Sequence, residues 1–311
     1  MQGRLFTLFD TGFPSYFVLL LVGFVFATSM GALWARRLGH NPDVIVDLGV
    51  AMLIAGVLGA RILHVIADGH FMDYVHLCTD PSKVDWLVTQ GQCTSADYGG
   101  VWDAARKVCH PVERDCFRWA EFWAGGLTYY GGFIGAALVA VRLLRVDKFP
   151  FWRAADMAGL VVPVGLGFGR MGCLLAGCCF GSPTPMPIGL SFPSNSPASE
   201  AQFKAGSIGS PLDVSLPVHP TQIYESFGSF AIAAFLILYF HGRKRYDGHV
   251  FVMFVLLYAA LRFVLEFWRD DERGGLLGLS TSQLIGVGLA AAAILVHRRL
   301  RASGASPSKI L

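Results

Sequence analysis

The sequence predicts an all-α integral membrane protein with seven transmembrane helices, and three observations carry that expectation. The mean hydropathy is +0.51, and 54% of residues are hydrophobic against 15% charged, where soluble domains carry about 25% charged residues. Seven apolar stretches, at 16–35, 43–66, 124–144, 154–175, 221–241, 249–268 and 281–297, have the length that a hydrocarbon layer about 30 Å thick demands of a helix. Just over half of the 25 basic residues sit in short segments beside span ends: Arg36 and Arg37; Arg142, Arg145, Lys148 and Arg153; Arg243, Lys244 and Arg245; Arg298, Arg299, Arg301 and Lys309. Positive-inside bias then predicts an outside N-terminus and a cytoplasmic C-terminus. Residues 1–311 read as a single integral-membrane domain with two long extracytoplasmic loops, 67–123 and 176–220. Because the basic clusters are topogenic, nucleic acid is excluded as a partner.

Residues 1–15 form an external lead-in. The first span is retained rather than cleaved, since only Arg4 precedes it and Arg36-Arg37 follows as a stop-transfer flank. Tyr16, near its outer end, is an interfacial anchor or a site residue. Span two holds Arg61 and His64 three residues apart on one helix face; they snorkel to headgroups, or Arg61 points inward to a phosphate. The loop at 67–123 carries Cys78, Cys93, Cys109 and Cys116. An even set of thiols in an extracytoplasmic segment predicts two disulfides, with three pairings open. Wide spacings without C-x-x-C argue against zinc there.

Span three opens with GGLTYYGGFIG, whose glycines around Tyr129 and Tyr130 predict a close backbone approach. Span four contains PVGLGFGRMGCLLAGCCFG, residues 163–181, with Arg170, three thiols (Cys173, Cys178, Cys179) and six glycines. A mid-membrane arginine costs about 2.5–3.5 kcal/mol on insertion scales and marks a functional interior. Gly167 to Gly172 matches G-x-G-x-x-G, but no strand precedes it, so a dinucleotide fold is rejected. The loop at 176–220 has eight prolines from Pro183 to Pro220; it reads as turns, and as a mobile lid. It ends in HPTQIYES, which brings His219, Gln222, Glu225 and Ser226 within two helical turns. Span six contains YAALRFVLEFWRDD, where Arg262 and Glu266 share a face at i, i+4 as a structural salt bridge or as site residues. Span seven is plain apolar sequence, and no chemistry is assigned to it.

Arg61, Arg170 and Arg262 on three different spans exceed what packing requires. Glu225 and Glu266 can pair with some of them, and a remaining guanidinium suits a phosphate through bidentate hydrogen bonds. At that depth the abundant anion is a phospholipid headgroup, so the residues predict a phospholipid-handling protein.

GLGFGRMG with the run to Gly181, then HPTQIYE and YAALRFVLEF, resembles the prolipoprotein diacylglyceryl transferase family. The likeness extends to Tyr16 seven residues before Gly23, to GVLGARI, and to GGLTYYGGFIG; the cysteine-bearing loop lies outside it. The resemblance implies a multi-pass enzyme of the bacterial inner membrane whose site faces the periplasm. Its expected substrates are phosphatidylglycerol, drawn from the membrane lipids, and the lipobox cysteine in a prolipoprotein signal peptide. No cofactor and no metal are expected. Carried over by position, Arg170 and Arg262 would hold the phosphate, with His219, Glu225 and Tyr130 as the other catalytic candidates. Tyr16, Arg61, Gly131, Gly132, Gly172, Cys173, Cys178, Gly181, Gln222, Tyr224 and Glu266 would line the substrate site.

Several positions differ from the family pattern. Tyr130 stands where a histidine is common, Cys173 and Ala176 replace two asparagines, and Cys178 replaces a glutamate. A phenol is a poor general base at neutral pH, which moves the expectation for thiol deprotonation to His219 or Glu225. The thiols themselves admit three readings: small apolar packers, a vicinal Cys178–Cys179 disulfide, or a soft-metal site that includes His219. Two further functional readings remain beside transfer, a relative of the same fold with different thiol-dependent chemistry and a non-catalytic lipid binder or transporter.

Overall fold

In a computed structural model of the chain, residues 4–8, 11–67, 69, 71–86, 90–94, 99–121, 128–269, 275–276 and 278–302 are described. Gly125 to Leu127 of the GGLTYYGG motif, Asp270 and Asp271 of the span-six motif, and Lys309 lie outside them. Among the described residues, seven helices are long and apolar enough to cross a membrane: Tyr16–Arg37, Pro42–Ala67, Tyr129–Val146, Phe151–Ala176, Thr221–Arg243, His249–Trp268 and Thr281–Ala302. All seven predicted spans are present with ends displaced by a few residues, as expected where fraying and caps decide boundaries. The chain divides into two compact units, Met1–Val46 with Phe149–Leu311, and Asp47–Lys148.

The first unit is a helix bundle. A short hairpin of β1 (Arg4–Leu8) and β2 (Thr11–Pro14) leads into α1 (Ser15–Arg37). The central helix of this unit is α6 (Phe151–Ala176), which packs on α1, on α8 (Thr221–Phe235) and on α9 (His249–Leu265); α10 (Thr281–Ala302) packs on α9. Helix α6 is the most buried of the seven spans, and small residues set its contacts. A Cβ at Gly159 would lie 3.0 Å from Cα of Phe251 in α9, and one at Gly23 of α1 would lie 2.6 Å from Cβ of Phe168. Close helix approach of this kind supplies dispersion where lipid offers no hydrophobic driving force. Between α6, α8 and α9 the core is Leu160, Ile232, Leu236, Val250 and Phe254.

One buried polar contact at the far end of the bundle was not foreseen. Asp156 of α6 accepts from the backbone N–H of Val250 (2.9 Å) and Phe251 (3.3 Å), so it caps α9 from a neighbouring helix. Its other oxygen pairs with Lys244 at 3.2 Å, and Lys244 also meets Asp247 at 2.8 Å. Lys244, read from sequence as a topogenic charge, is therefore a buried structural ion with its side chain 4% exposed.

The loop at 176–220 is ordered. It contains α7 (Pro197–Lys204), opened by a capping box between Ser196 and Ser199, and closes a small core of Leu174, Phe192, Ala198 and Val218. Turns run through most of the segment, as expected, and the burial of Phe192 and Val218, at about 25 cal/mol per Å² of apolar surface, fixes a stretch whose composition looks like a linker.

The second unit pairs α2 (Pro42–Ala67) with α5 (Tyr129–Val146). Glycines face each other here: a Cβ at Gly132 would lie 3.2 Å from the carbonyl of Gly56, and one at Gly59 would lie 3.3 Å from Cα of Gly135. Gly131 opposes Gly59 even more tightly. The intervening segment contains α3 (Phe71–Thr79), α4 (Gln90–Cys93) and a hairpin of β3 (Gly100–Asp103) and β4 (Val108–Pro111). Disulfides join Cys78 to Cys116 and Cys93 to Cys109, one of the three possible pairings.

Candidate active site

The candidate site of the first unit is built where α6 ends. Its last turn closes in a Schellman motif. The N–H of Gly177 bonds the carbonyl of Leu174 (3.2 Å) and that of Cys178 bonds the carbonyl of Cys173 (3.1 Å), with Gly177 left-handed at φ +71. That motif brings side chains at the positions of Cys173 and Cys178 face to face. Cys179 is itself left-handed at φ +60, a conformation costing a side chain about 1–2 kcal/mol, and it turns a third thiol onto the other two. The three sulfurs lie within 4.8 Å of one another, and none is in a disulfide.

Helix α8 holds this loop by its backbone. Gln222 Nε2 donates to the carbonyl of Cys178 (2.7 Å) and Thr221 Oγ1 to that of Cys179 (2.8 Å). Gly181 bonds His219 (2.9 Å) and Ser182 bonds the carbonyl of Trp268 (2.8 Å). A side chain at Gly181 would collide with that Trp268 carbonyl and lie 2.8 Å from Cβ of His219, so the family-pattern glycine is explained by backbone proximity. The other amide atom, Gln222 Oε1, is buried with no partner among the described residues.

One turn further along α8, Glu225 is 1% exposed. A single carboxylate oxygen meets Arg170 Nε and Arg262 Nη1, each at 3.0 Å, while its second oxygen accepts from Tyr258 Oη at 2.8 Å. Arg262 gives its second terminal nitrogen to Glu266 (3.3 Å), which also accepts from Ser280 Oγ (2.7 Å). No hydrogen bond or ion pair to either terminal nitrogen of Arg170 is made among the described residues. Tyr16 packs over Gly172, where a Cβ would lie 3.3 Å from the tyrosine Cα.

The structure thus gathers Tyr16, Arg170, Gly172, Cys173, Cys178, Gly181, His219, Gln222, Tyr224, Glu225, Arg262 and Glu266 in the first unit, and places Arg61, Tyr130, Gly131 and Gly132 in the second. Arg61 is buried. It donates to the carbonyls of Trp119 and Arg118, both at 2.6 Å, and lies over the Tyr74 ring. Gly131 and Gly132 serve the contact with α2. His219 Nδ1 faces Tyr224 Oη at 3.3 Å, and His219 is not in the tight thiol cluster among the described residues. The reading of a metal site shared with His219 is corrected accordingly.

Three participants escaped the sequence reading: Thr221, Tyr258 and Ser280. Tyr258 was findable, since it precedes Arg262 by four residues in the quoted motif and so shares its face. Nothing local points to Ser280, which reaches Glu266 from the start of a span assigned no chemistry.

The ionisation of the loop thiols follows from their contacts. Hydrogen bonds from Cys173 and then Cys178, followed by Arg170 and Arg269, hold the Cys179 thiol well below the usual thiol range. Cys178, donating within the same cluster, is pushed up.

The family model described as prolipoprotein diacylglyceryl transferase matches residues 4–298. A phosphatidylglycerol–prolipoprotein diacylglyceryl transferase of Clostridium tetani is 30% identical over 288 residues, covering 92% of each chain. The enzyme of the same name numbered 2 in Clostridium perfringens is 30% identical over 286 residues, 91% of this chain and 89% of its own. A Bordetella avium transferase is 34% identical over 180 residues, 57% of this chain and 60% of the relative. The fold, the arginine–glutamate centre and these likenesses converge: the chain belongs to the prolipoprotein diacylglyceryl transferase family.

Proposed function

We infer that the chain carries out its family's reaction, transfer of the diacylglyceryl group of phosphatidylglycerol to the cysteine thiol of a prolipoprotein, with the chemistry centred on Arg170. Arg170 carries this reading because its Nε is anchored on buried Glu225 while neither terminal nitrogen makes a hydrogen bond or ion pair among the described residues. A guanidinium fixed at one edge presents the other as a bidentate phosphate clamp. The thiolate attacks the glycerol carbon attached to the phosphate ester; a C–S bond forms as the C–O bond breaks, and glycerol phosphate leaves. Arg170 then stabilises the charge that develops on the departing oxygen.

Glu225 is a positioning residue in this scheme. Its two oxygens already serve two arginines and a tyrosine, so it holds the clamp in place and is poorly suited to accept a proton. Tyr16 and Gly172 line the approach from α1. With the N-terminus outside, this end of α6 faces the periplasmic side of the bacterial inner membrane, where lipid and prolipoprotein meet.

The decisive experiment expresses the full chain in cells depleted of their own diacylglyceryl transferase and follows prolipoprotein lipidation. Wild type restores it, and Arg170→Lys, which keeps the charge but loses the fork, lowers turnover at least tenfold with unchanged membrane expression. Absence of lipidation by well-expressed wild type rejects transfer and favours a relative with different thiol chemistry. Full activity in Arg170→Lys rejects the clamp.

A further inference from the structure

The three thiols at the end of α6 have no task in the scheme above. We propose that Cys173, Cys178 and Cys179 form a three-thiolate site for a zinc ion whose fourth position takes the substrate's cysteine thiol. The inference rests on the transferase reading, which supplies that thiol.

The geometry is prepared by backbone rather than by chance packing. The Schellman turn sets Cys173 against Cys178, and the left-handed Cys179 brings the third sulfur in, all within 4.8 Å of one another. Tetrahedral zinc with Zn–S bonds of about 2.3 Å places sulfurs about 3.8 Å apart, so closure asks at most about 1 Å of movement. The carbonyls of Cys178 and Cys179 are tethered by Gln222 and Thr221, the outer partners that orient ligands in metal sites. Cys173 is buried while Cys178 and Cys179 are half-buried, which leaves one side open for a fourth ligand.

The alternatives fare less well. Adjacent Cα atoms are 3.8 Å apart, below the usual 4.4–6.8 Å span of a disulfide, so a Cys178–Cys179 bridge is disfavoured and would strand Cys173. Simple packing does not explain a strained left-handed cysteine clamped through its carbonyl. The positive-inside reading of the sequence expects both long loops outside the cytoplasm; the two disulfides are in keeping with an oxidising compartment, and three clustered thiols persist there when a metal holds them.

Three protein ligands with one open position is the arrangement of catalytic zinc. The incoming thiol gives its proton to water on binding, and its sulfur becomes a thiolate at neutral pH. That sulfur's electron pair forms the C–S bond, and the electron pair of the breaking C–O bond leaves on glycerol phosphate. The thioether product is a weak ligand and departs. No oxidant or reductant is required.

The test uses the full chain purified in detergent from zinc-supplied cells. Elemental analysis should find about one zinc per chain, lowered at least tenfold in the folded Cys178→Ser/Cys179→Ser variant. Exchange to cobalt(II) should give thiolate-to-metal charge-transfer absorption that shifts when a lipobox peptide is added and stays unchanged with its Cys→Ser counterpart. Zinc-free protein with three titratable thiols overturns the proposal, as does a cobalt spectrum indifferent to the cysteine peptide. Lipidation by the zinc-free double variant overturns it while sparing the transferase reading. A peptide-responsive metal site in a protein that does not lipidate upholds it and rejects that reading.

Discussion

Two cysteine-bearing loops of this chain solve the problem of staying ordered in opposite ways. The segment at 67–123 keeps a thin core beneath α3 and its hairpin, and covalent bonds hold it: Cys93 and Cys109 are fully buried, and Cys78–Cys116 ties the end of α3 back to the segment. The loop at 176–220 has more prolines, yet it buries Phe192 and Val218 and hangs from α8 by side chain-to-backbone hydrogen bonds. Its cysteines are thereby released from structural duty. Cysteine serves as a staple where apolar burial is scarce, and it is available for chemistry where burial suffices.

The largest expected effect tests what holds the second loop's surroundings. Glu225→Ala leaves Arg170 and Arg262 without their shared partner, and breaking a buried pair costs about 3–5 kcal/mol. Thermal unfolding in detergent should fall sharply and lipidation should vanish. Glu225→Gln, which keeps the shape, should retain more stability than activity.

Removing Cys93–Cys109 probes the other loop. Opening a ring across 16 residues should cost about 3 kcal/mol on a loop-entropy argument. Hydrogen exchange should then rise in residues 99–116 and stay unchanged in 176–220; equal loosening of both would break the contrast. Gly181→Ala is a smaller perturbation of the thiol loop, expected to cost about 1–3 kcal/mol through overpacking against the Trp268 carbonyl. It should make Cys179 more reactive toward alkylating agents.

The mildest test is chemical labelling. Without reductant, iodoacetamide should modify Cys179 before Cys178 and leave the four disulfide cysteines untouched in mass spectra. The sign follows from the shifts. A thiol held below its ordinary range ionises at lower pH than one pushed up, so as pH falls the labelling of Cys179 should persist after that of Cys178 is lost. Zinc should suppress both, linking this test to the proposed metal site.

Much of the fold was legible because a bilayer makes length and hydropathy decisive. Seven spans and the pairing of Arg262 with Glu266 followed from composition and from i, i+4 spacing. Arg61 illustrates what was not: its distance from Arg118 and Trp119 along the chain is large, so only folding reveals that their carbonyls take up its charge. Asp156 shows the same limit, since a cap supplied by another helix leaves no local signature.

The sequence by itself determined the membrane class, the family, and the arginines and glutamates that make the centre, because each of these is written in residue type and short-range spacing. Only the tertiary structure decided that Glu225 bridges Arg170 and Arg262, that Ser280 completes Glu266, and that a Schellman turn followed by a left-handed cysteine gathers three thiols. The physical reason is that a charge's partner and a sulfur's neighbours are set by backbone directions at helix ends, which the one-dimensional pattern does not specify.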